Sequence, residues 1–425
     1  MWEQRWNMAD HGGEEGGRVP AALRHRDFRL FWGGVVLSGV GSQFTTVAMA
    51  WQMYELTNSA WQIGLLGLAR AVPQIALALL GGLMADAMER RRLIMGTQIA
   101  QLTVPVALAG LTLADAVAPS SLYVGSALLA LAGTLETPAR QALVPNLVPR
   151  AALTSAIALH SAQRGLSEII GPSLAGLLLA VTGPAWCYTL NAGLCMTLLI
   201  ALVCMRSTPQ VTNGRGGVSL QALRDGMAFL ATQPVIVAFM VLDFGATFFG
   251  SSRALLPVYA RDILSVGPAG LGMLYAASAV GALLAATAMG LAPTPHRSGH
   301  WVLVAVAVYG VCTMVFAVST AFWLALLMLA GAGAGNMVGG VLRNTINQVL
   351  TPDHFRGRVA AVNSIFTMGG PQLGQFESGV VAALWSPAAS ALTGGLGALL
   401  VVWGVAMVPT VRRFRLADDV TQRTG

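Results

Sequence analysis

The chain has 425 residues, of which 55% are hydrophobic and only 10% are charged, and its mean hydropathy is +0.66. Because an ordinary soluble domain carries about 25% charged residues, this composition excludes a water-soluble fold. The net charge is +7 and every basic residue is Arg, but the arginines form short clusters between apolar runs instead of one basic face, so we expect no nucleic-acid partner.

In chain order, a polar segment at residues 1–27 precedes twelve apolar runs. The polar segment lacks the apolar stretch of a cleavable signal, so we expect it to stay in the cytoplasm. Each run can cross a hydrocarbon core of about 30 Å as a helix. The runs are at about 28–54, 60–85, 92–114, 119–139, 153–181, 184–205, 233–258, 268–292, 301–319, 321–349, 357–383 and 387–410.

These runs predict an all-α integral membrane protein with twelve transmembrane helices, organised as two six-helix pseudo-repeats. A loop rich in Gly, Pro, Thr and Asn separates the sixth run from the seventh. The predicted units are a cytoplasmic N-terminal segment (residues 1–27), an N-terminal bundle (28–205), a cytoplasmic linker (206–232), a C-terminal bundle (233–410) and a cytoplasmic tail (411–425).

The distribution of arginine predicts the orientation. At the chain termini and in alternate loops we count 21 of the 25 arginines, with Arg343 among them. The opposite loops contain Arg261, while Arg70, Arg164 and Arg253 lie within apolar runs. Since cytoplasmic loops carry an excess of Arg and Lys, both termini are expected in the cytoplasm, in a bacterial plasma membrane.

An internal repeat indicates that the two halves arose by duplication. Arg140 and the string Ala158–Ser161 recur 203 residues later as Arg343 and the string Ala361–Ser364. The pair Gly171-Pro172 recurs 199 residues later, which suggests that four residues were lost in between. Duplicated halves of this kind place a binding site at their interface, near the middle of the membrane.

Several kinds of chemistry have no signature in the sequence. No ATP-binding loop, nucleophile elbow or metal-ligand cluster is present, so we expect no cofactor, no bound metal and no enzymatic activity. The four cysteines lack metal-ligand spacing and are expected to be free thiols. They are Cys187, Cys195, Cys204 and Cys312.

The loop after the second run contains Gly, then Asp four residues later, then a cluster of arginines. This string resembles the cytoplasmic-loop signature of the major facilitator superfamily. The matching residues are Gly82, Asp86, Arg90 and Arg91. Ala87 and Glu89 depart from the signature, at positions where a basic residue and Gly are usual. The resemblance implies a conformational gate in which Asp86 acts as a latch and not as a substrate ligand.

The fifth run has the spacing of the superfamily's antiporter signature, with a small residue or Pro at every position. Small residues let two helices approach closely, and Pro bends the span, which suits a moving interface. Ordinary packing of small residues is the alternative. The positions are Ala158, Ser167, Gly171, Pro172, Ala175 and Gly176.

Further strings resemble one branch of the superfamily, the enterobactin-exporter and macrolide-efflux group. They begin at Leu23 (LRHRDFRLFW), Thr137 (TPARQALVPNLVP), Leu255 (LLPVYARDIL) and Asn344 (NTINQVLTPDHFRGRVAAVNS), and the likeness extends over about residues 23–413. It implies a monomeric secondary exporter, a proton antiporter for an amphipathic siderophore, macrolide or other drug. A sensor or scaffold with the same fold, an importer and a lipid flippase are the alternatives.

Charged residues inside the runs are candidates for coupling transport to protons. Each costs about 2.5–3.5 kcal/mol at the centre of a span unless it is paired or hydrated. The coupling candidates are Asp243, Glu168 and Glu136, and the intramembrane partners are Arg70, Arg164, His160, Glu377 and Arg253. A static structural pair is the alternative for each.

Asp243 is the first choice, because no basic residue lies within nine positions of it, although Arg70 or Arg164 could approach it in the fold. His160, Arg164 and Glu168 share one helix face. Arg70 and Glu377 are expected to form an outer gate.

Overall fold

The computed structural model describes residues 20–78, 89–206, 220–291, 297–352 and 355–412. In these ranges the chain is almost entirely helical and contains no strand. Twelve long helices correspond to the twelve apolar runs. They are α1 (Arg26–Thr57), α2 (Ala60–Ala78), α3 (Arg90–Leu113), α4 (Pro119–Leu143), α5 (Leu153–Thr182), α6 (Pro184–Cys204), α7 (Pro234–Phe249), α8 (Gly267–Leu291), α9 (Ser298–Ala317), α10 (Phe322–Leu350), α11 (Arg356–Leu384) and α12 (Pro387–Ala406).

Shorter helical segments connect or flank the long helices. An amphipathic helix at Leu220–Ala231 lies between α6 and α7 and packs on α11. The remaining segments are Ala21–Arg24, Val144–Asn146, Arg150–Ala152, Ser252–Leu255, Leu256–Val258, Tyr259–Ile263 and Pro409–Arg412.

Among the described residues, eight helices are long and apolar enough to span a membrane. The other four long helices, α1, α2, α4 and α11, contribute most of the polar residues that line the cavities described below. Their lower hydropathy therefore reflects an interior polar face, which is where ionisable and amide side chains of a membrane protein are found.

The helices pack in two groups of six. In the first, α1 contacts α5 and α6, α3 contacts α4 and α6, and α2 contacts α4. In the second, α10 contacts α8 and α9, while α12 and α11 both contact α7. The groups meet mainly through two helix pairs, α2 with α11 and α5 with α8. In the duplicated half α8 corresponds to α2, and α11 corresponds to α5. The pseudo-symmetry therefore relates the α2–α11 pair to the α8–α5 pair.

Glycines bring the helix backbones together at both of these crossings. A Cβ atom on Gly176 would lie 2.7 Å from the Cα of Gly272, and one on Gly64 would lie 2.8 Å from the Cα of Gly379. Both crossings lie toward the end of the bundle that is opposite the chain termini. We call this the closed end, and the other the termini end. Close backbone approach through small residues is a common mode of helix association in membranes.

The crossings also give the register of the repeat. Gly176 and Gly379 are 203 residues apart, as are Arg140 and Arg343. In this register the second Gly-Pro pair lies four residues, or about one helical turn, earlier in its helix than the first pair does. This shift accounts for the spacing of 199 residues. The loss of four residues that the sequence suggested is not needed to explain it.

The seventh apolar run, predicted as one helix over about 233–258, is interrupted in the structure. Helix α7 ends at Phe249, and a 3-10 turn at Ser252–Leu255 follows. The carbonyl of Gly250 accepts hydrogen bonds from the Tyr309 hydroxyl at 2.6 Å and from the N–H of Ser252 at 2.8 Å. Pro257 has no N–H to continue the helical ladder. The chain then completes the span with a short helix and a π-helical turn, so that residues outside the α-helix, among them Gly250 and Arg253, line a cavity between the two groups.

Candidate functional site

Two adjoining cavities occupy the interior of the bundle. The first, of about 340 Å³, lies among α1, α2, α3, α4 and α6, with Gln372 of α11 also in its wall, and the second, of about 310 Å³, lies between the two groups of helices. They share Thr46, Arg70 and Gln372. Volumes of this size are typical of sites for small molecules. We call them the N-side cavity and the central cavity.

Glu136 lies at the wall of the N-side cavity and is 2% exposed. One carboxylate oxygen accepts hydrogen bonds from Gln98 Nε2, at 2.6 Å, and from the guanidinium of Arg140. The other accepts from Gln101 Nε2. Arg140 is one turn along the same helix, a spacing at which opposite charges meet. The carboxylate is thus fully bonded and also borders a cavity.

A chain of polar side chains links Glu136 to the opposite wall of the same cavity. Ser38 Oγ donates to Gln98 Oε1 at 3.4 Å and lies 3.7 Å from Cys195 Sγ. The thiol donates to Asn191 Oδ1 at 3.3 Å, and Asn191 Nδ2 donates to Thr45 Oγ1 at 2.7 Å. Of the residues linked to Glu136 in this way, only Cys195 was named from the sequence, as a free thiol. The signal that could have found the others is the presence of amide side chains, Gln98 and Asn191, within apolar spans, because an unpaired polar group there is costly.

Asp243 on α7 forms an ion pair with Arg343 on α10. The two residues are 6% and 8% exposed, and neither lines the two cavities. The partner of Asp243 is therefore neither Arg70 nor Arg164, the two arginines considered from the sequence. The assignment of Arg343 to a loop was also wrong, because the residue lies within α10 (Phe322–Leu350), where the helix continues past the apolar part of the run.

The structure does not bring Arg70 and Glu377 together. Arg70 Nε donates to Ser126 Oγ of α4 at 2.7 Å, and the side chain lines both cavities. Glu377, on α11, is half-buried, and its Oε2 atom has no hydrogen-bond partner in the described part of the chain. Arg70 therefore points into the interior of the bundle, where it is available to a molecule in either cavity.

Arg253 lies on the turn that interrupts the seventh span. Its side chain is exposed to the central cavity, with the guanidinium 5.8 Å from the centroid of the Tyr275 ring. Broken helices whose backbone lines a cavity are typical of binding sites in transporters. The sequence named Arg253 as an intramembrane charge but did not place it at a break.

His160 is half-buried on α5, whereas Arg164 and Glu168 are exposed and line neither cavity. An α-helix turns by 100° per residue, which places Glu168 on the side of α5 opposite the exposed apolar residues Leu166 and Ile170. The charged side of this helix therefore faces the interior side of the bundle.

The small-residue motif of α5 packs against two helices. Gly171 lies against Gln43 of α1, and Gly176 and Pro172 lie against Gly272 of α8. Ser167 and Ala175 are buried as well, whereas Ala158 is exposed. The motif thus forms part of the crossing between the two groups.

The predicted cytoplasmic gate is described only in part. Gly82 and Asp86 lie outside the described residues. Arg90 Nη1 donates to the carbonyl of Ala142 at 2.9 Å, and Arg91 Nη2 donates to the carbonyl of Val203 at 3.3 Å. These bonds tie the start of α3 to α4 and α6.

A polar contact joins the two groups at the closed end. The Tyr54 hydroxyl at the end of α1 donates to a carboxylate oxygen of Asp262, in the segment before α8. The guanidinium of Arg261 lies over the Tyr54 ring, 5.6 Å from its centroid. No signal in the sequence pointed to this contact. In the described ranges, His, Cys, Asp and Glu form no cluster of three that could hold a metal ion.

Comparisons with known proteins agree with this architecture. A family model described as transmembrane secretion effector matches residues 19–423. Enterobactin exporters from Shigella boydii serotype 18 and from Escherichia coli O1:K1 / APEC are each 29% identical over 396 residues, covering 92% of this chain and 94% of the relative.

Solved transporters share the fold at low sequence identity. A peptide transporter POT mutant in complex with alafosfalin has a TM-score of 0.71 at 13% identity, covering 92% of this chain and 96% of its own. Nucleoside transporter NupG has a TM-score of 0.70 at 12% identity, covering 90% and 98%. A bacterial homolog of the human lysosomal transporter Spinster, inward-facing and unoccupied, has a TM-score of 0.66 at 14% identity, covering 93% and 97%.

Proposed function

Because the chain belongs to the transmembrane secretion effector family, within the major facilitator superfamily, we propose that this multi-pass membrane transporter is a secondary exporter that exchanges an amphipathic small molecule for protons. Siderophores, macrolides and other drugs are the proposed substrates, and the exporter works as a monomer in a bacterial inner membrane. The enterobactin exporters that it resembles support the direction of transport.

The proposed orientation places both termini in the cytoplasm, following the excess of arginine at that end. The crossings at Gly64 and Gly176 and the bond from Tyr54 to Asp262 then close the external side. The two cavities would therefore receive substrate from the cytoplasm in this state. Opening the external crossings would release it, which is the rocking movement expected of two pseudo-symmetric halves.

Glu136 at the wall of the N-side cavity is the observation that carries the proton-coupling proposal. A coupling carboxylate must exchange protons with water on alternate sides of the membrane, so it must border a space that water can enter. Glu136 lines a cavity, whereas Asp243 does not. This difference ranks Glu136 ahead of Asp243, the first choice from the sequence. Glu168 is exposed but lines neither cavity, so its protonation would not change the contacts that a cavity offers to a substrate.

The bonds of Glu136 suggest how a proton changes the site. The ionised carboxylate binds Arg140, Gln98 and Gln101. Protonation neutralises the carboxyl group and weakens its bond to Arg140. The guanidinium charge of Arg140 is then no longer balanced and can interact with a molecule in the cavity. Because charge-assisted bonds are about twice as strong as neutral ones, this step alters which contacts the cavity can offer to a substrate. Deprotonation on the cytoplasmic side restores the pair.

Accumulation in everted membrane vesicles tests the proposal. With an acidic vesicle interior, an exporter that exchanges substrate for protons should concentrate radiolabelled enterobactin or erythromycin inside, and nigericin should abolish the accumulation. Glu136→Gln should abolish accumulation, whereas Glu168→Gln, a matched removal of a carboxyl from a span, should not. Accumulation that ignores the pH gradient would contradict proton coupling. If neither compound moves in either direction, a sensor or scaffold is favoured. If the compounds move out of the vesicles, import is favoured.

A further inference from the structure

The central cavity contains two arginines for which the described part of the chain supplies no carboxylate partner. Arg70 from α2 and Arg253 from the break after α7 both line it. No carboxylate is among its lining residues, and within the described residues neither arginine takes part in an ion pair. Arg70 donates to the neutral hydroxyl of Ser126, and Arg253 stacks on the ring of Tyr275.

Two other arginines inside long helices show the contrast, whereas Arg164 of α5 is unpaired among the described residues but is exposed and lines neither cavity. Arg140 binds Glu136 and Arg343 binds Asp243, so the fold supplies a carboxylate to each of these two. An arginine in a span is costly, and it is found where it is paired, hydrated or functional. Arg70 and Arg253 therefore have the arrangement expected of groups whose partner is a ligand.

We propose that the central cavity binds the anionic group of an amphipathic molecule, with Arg70 and Arg253 as the two anchors. The proposal rests on the exporter function for treating this cavity as the substrate site. It narrows the proposed substrates to anionic amphipathic molecules, which excludes macrolides that carry a cationic amine. Guanidinium groups present several N–H donors in a planar fork that matches carboxylate, sulfonate and phosphate oxygens.

The rest of the wall fits the remainder of such a molecule. Val47, Ala50, Ile63 and Leu66 supply an apolar patch on the side of α1 and α2. The aromatic ring of Tyr275 lies beside Arg253. An apolar or aromatic body can therefore contact this patch while the anionic group meets the arginines, which is the mixture of apolar wall and few polar anchors that small-molecule sites show.

The location of the two anchors gives the anion a role in closure. Arg70 belongs to the first group of helices, and Arg253 belongs to the second. Two like charges facing one cavity repel each other, and the repulsion increases when water leaves the site. An anion between them removes this repulsion, so that occlusion of the loaded cavity is favoured over occlusion of the empty one.

A matched pair of fluorescent probes tests the charge preference without any gradient. The anion 8-anilinonaphthalene-1-sulfonate and neutral N-phenyl-1-naphthylamine share an arylamine skeleton and differ in the sulfonate. Equilibrium dialysis against the full chain in phosphatidylcholine nanodiscs, with empty discs subtracted, gives the affinity for each. We expect the wild-type chain to prefer the sulfonate, and Arg70→Gln with Arg253→Gln to reduce that preference by about tenfold or more, leaving binding of the neutral probe.

Control variants keep the result interpretable. Arg164→Gln removes an arginine that lines neither cavity and should leave the preference unchanged, and Arg70→Lys should retain most of it. A wild-type chain without preference for the sulfonate overturns the proposal even if a variant fails to fold, and so does a preference that survives in the double variant. If phosphatidylglycerol included in the discs displaces the sulfonate probe, the site binds a lipid headgroup, and the proposal is overturned as well. A retained preference without pH-driven transport would instead refute the proton-coupled exporter alone.

Discussion

Arg140 on α4 and Arg343 on α10 are 203 residues apart, and each binds a buried carboxylate within its own group of helices. The carboxylates are not equivalent. Glu136 precedes its arginine by one turn on the same helix, whereas Asp243 comes from α7, and the residue 203 positions after Glu136 is Gly339. The duplication thus retained the arginine while its partner diverged, and only the pair in the first group borders a cavity.

The Asp243–Arg343 pair should matter mainly for stability. Arg343→Gln leaves the Asp243 carboxylate buried without its partner, and removal of one member of a buried pair costs about 3–5 kcal/mol. Asp243→Asn combined with Arg343→Gln removes both charges, so the double variant should melt at a higher temperature than Arg343→Gln alone. Thermal unfolding in detergent, followed by size-exclusion chromatography, measures this. A double variant less stable than either single variant would contradict a mutually compensating pair.

Transport should separate the two carboxylates. Glu136→Gln should abolish accumulation driven by a pH gradient yet permit exchange of labelled for unlabelled substrate, because exchange requires no net proton movement. Asp243→Asn should retain gradient-driven accumulation, with lower expression and rate. Both are measured in everted vesicles at matched protein amounts. If Asp243→Asn loses accumulation and keeps exchange while Glu136→Gln behaves as wild type, the coupling role belongs to Asp243.

The sequence predicted most helices to within a few residues, because a continuous apolar run is what spans a bilayer. The prediction of one apolar run over residues 233–258 missed the break after Phe249, although residues 250–253 read GSSR, a polar stretch that coincides with the change in backbone hydrogen bonding. Charge pairs show a further limit. Glu136 and Arg140 are four residues apart and could be paired from spacing alone, whereas Asp243 and Arg343 are separated by 100 residues and meet only through packing.

A side chain at Gly176 should open the closed end. In Gly176→Val the added atoms meet the carbonyl of Pro268 and the backbone of Gly272, and overpacking of this kind costs about 1–3 kcal/mol. That is roughly a 5- to 150-fold change in the ratio of closed to open states. Gly165→Val is the control, because a Cβ at Gly165, on the same helix, meets nothing within 4 Å.

The measurement is labelling of a single cysteine at Thr46, which lines both cavities, in a background without the native cysteines. A membrane-impermeant maleimide added to intact cells should react faster with Thr46→Cys in the Gly176→Val variant than in the Gly165→Val variant. Equal rates in the two would show that the crossing of α5 and α8 does not control access from outside.

The bond from Tyr54 to Asp262 should stabilise the same closed end. It joins α1 to the segment before α8, so it breaks when the two groups separate there. A hydrogen bond to a charged group contributes about 1.5–3 kcal/mol, and Tyr54→Phe should therefore raise the labelling rate at Thr46→Cys by about tenfold or more. The matched control is Tyr123→Phe, whose hydroxyl bonds to Gln62 within the first group, and which should leave the rate unchanged. Asp262→Asn keeps an acceptor and should have a smaller effect than Tyr54→Phe. If Tyr54→Phe and Tyr123→Phe label alike, the bond forms in both states and does not hold the external side closed.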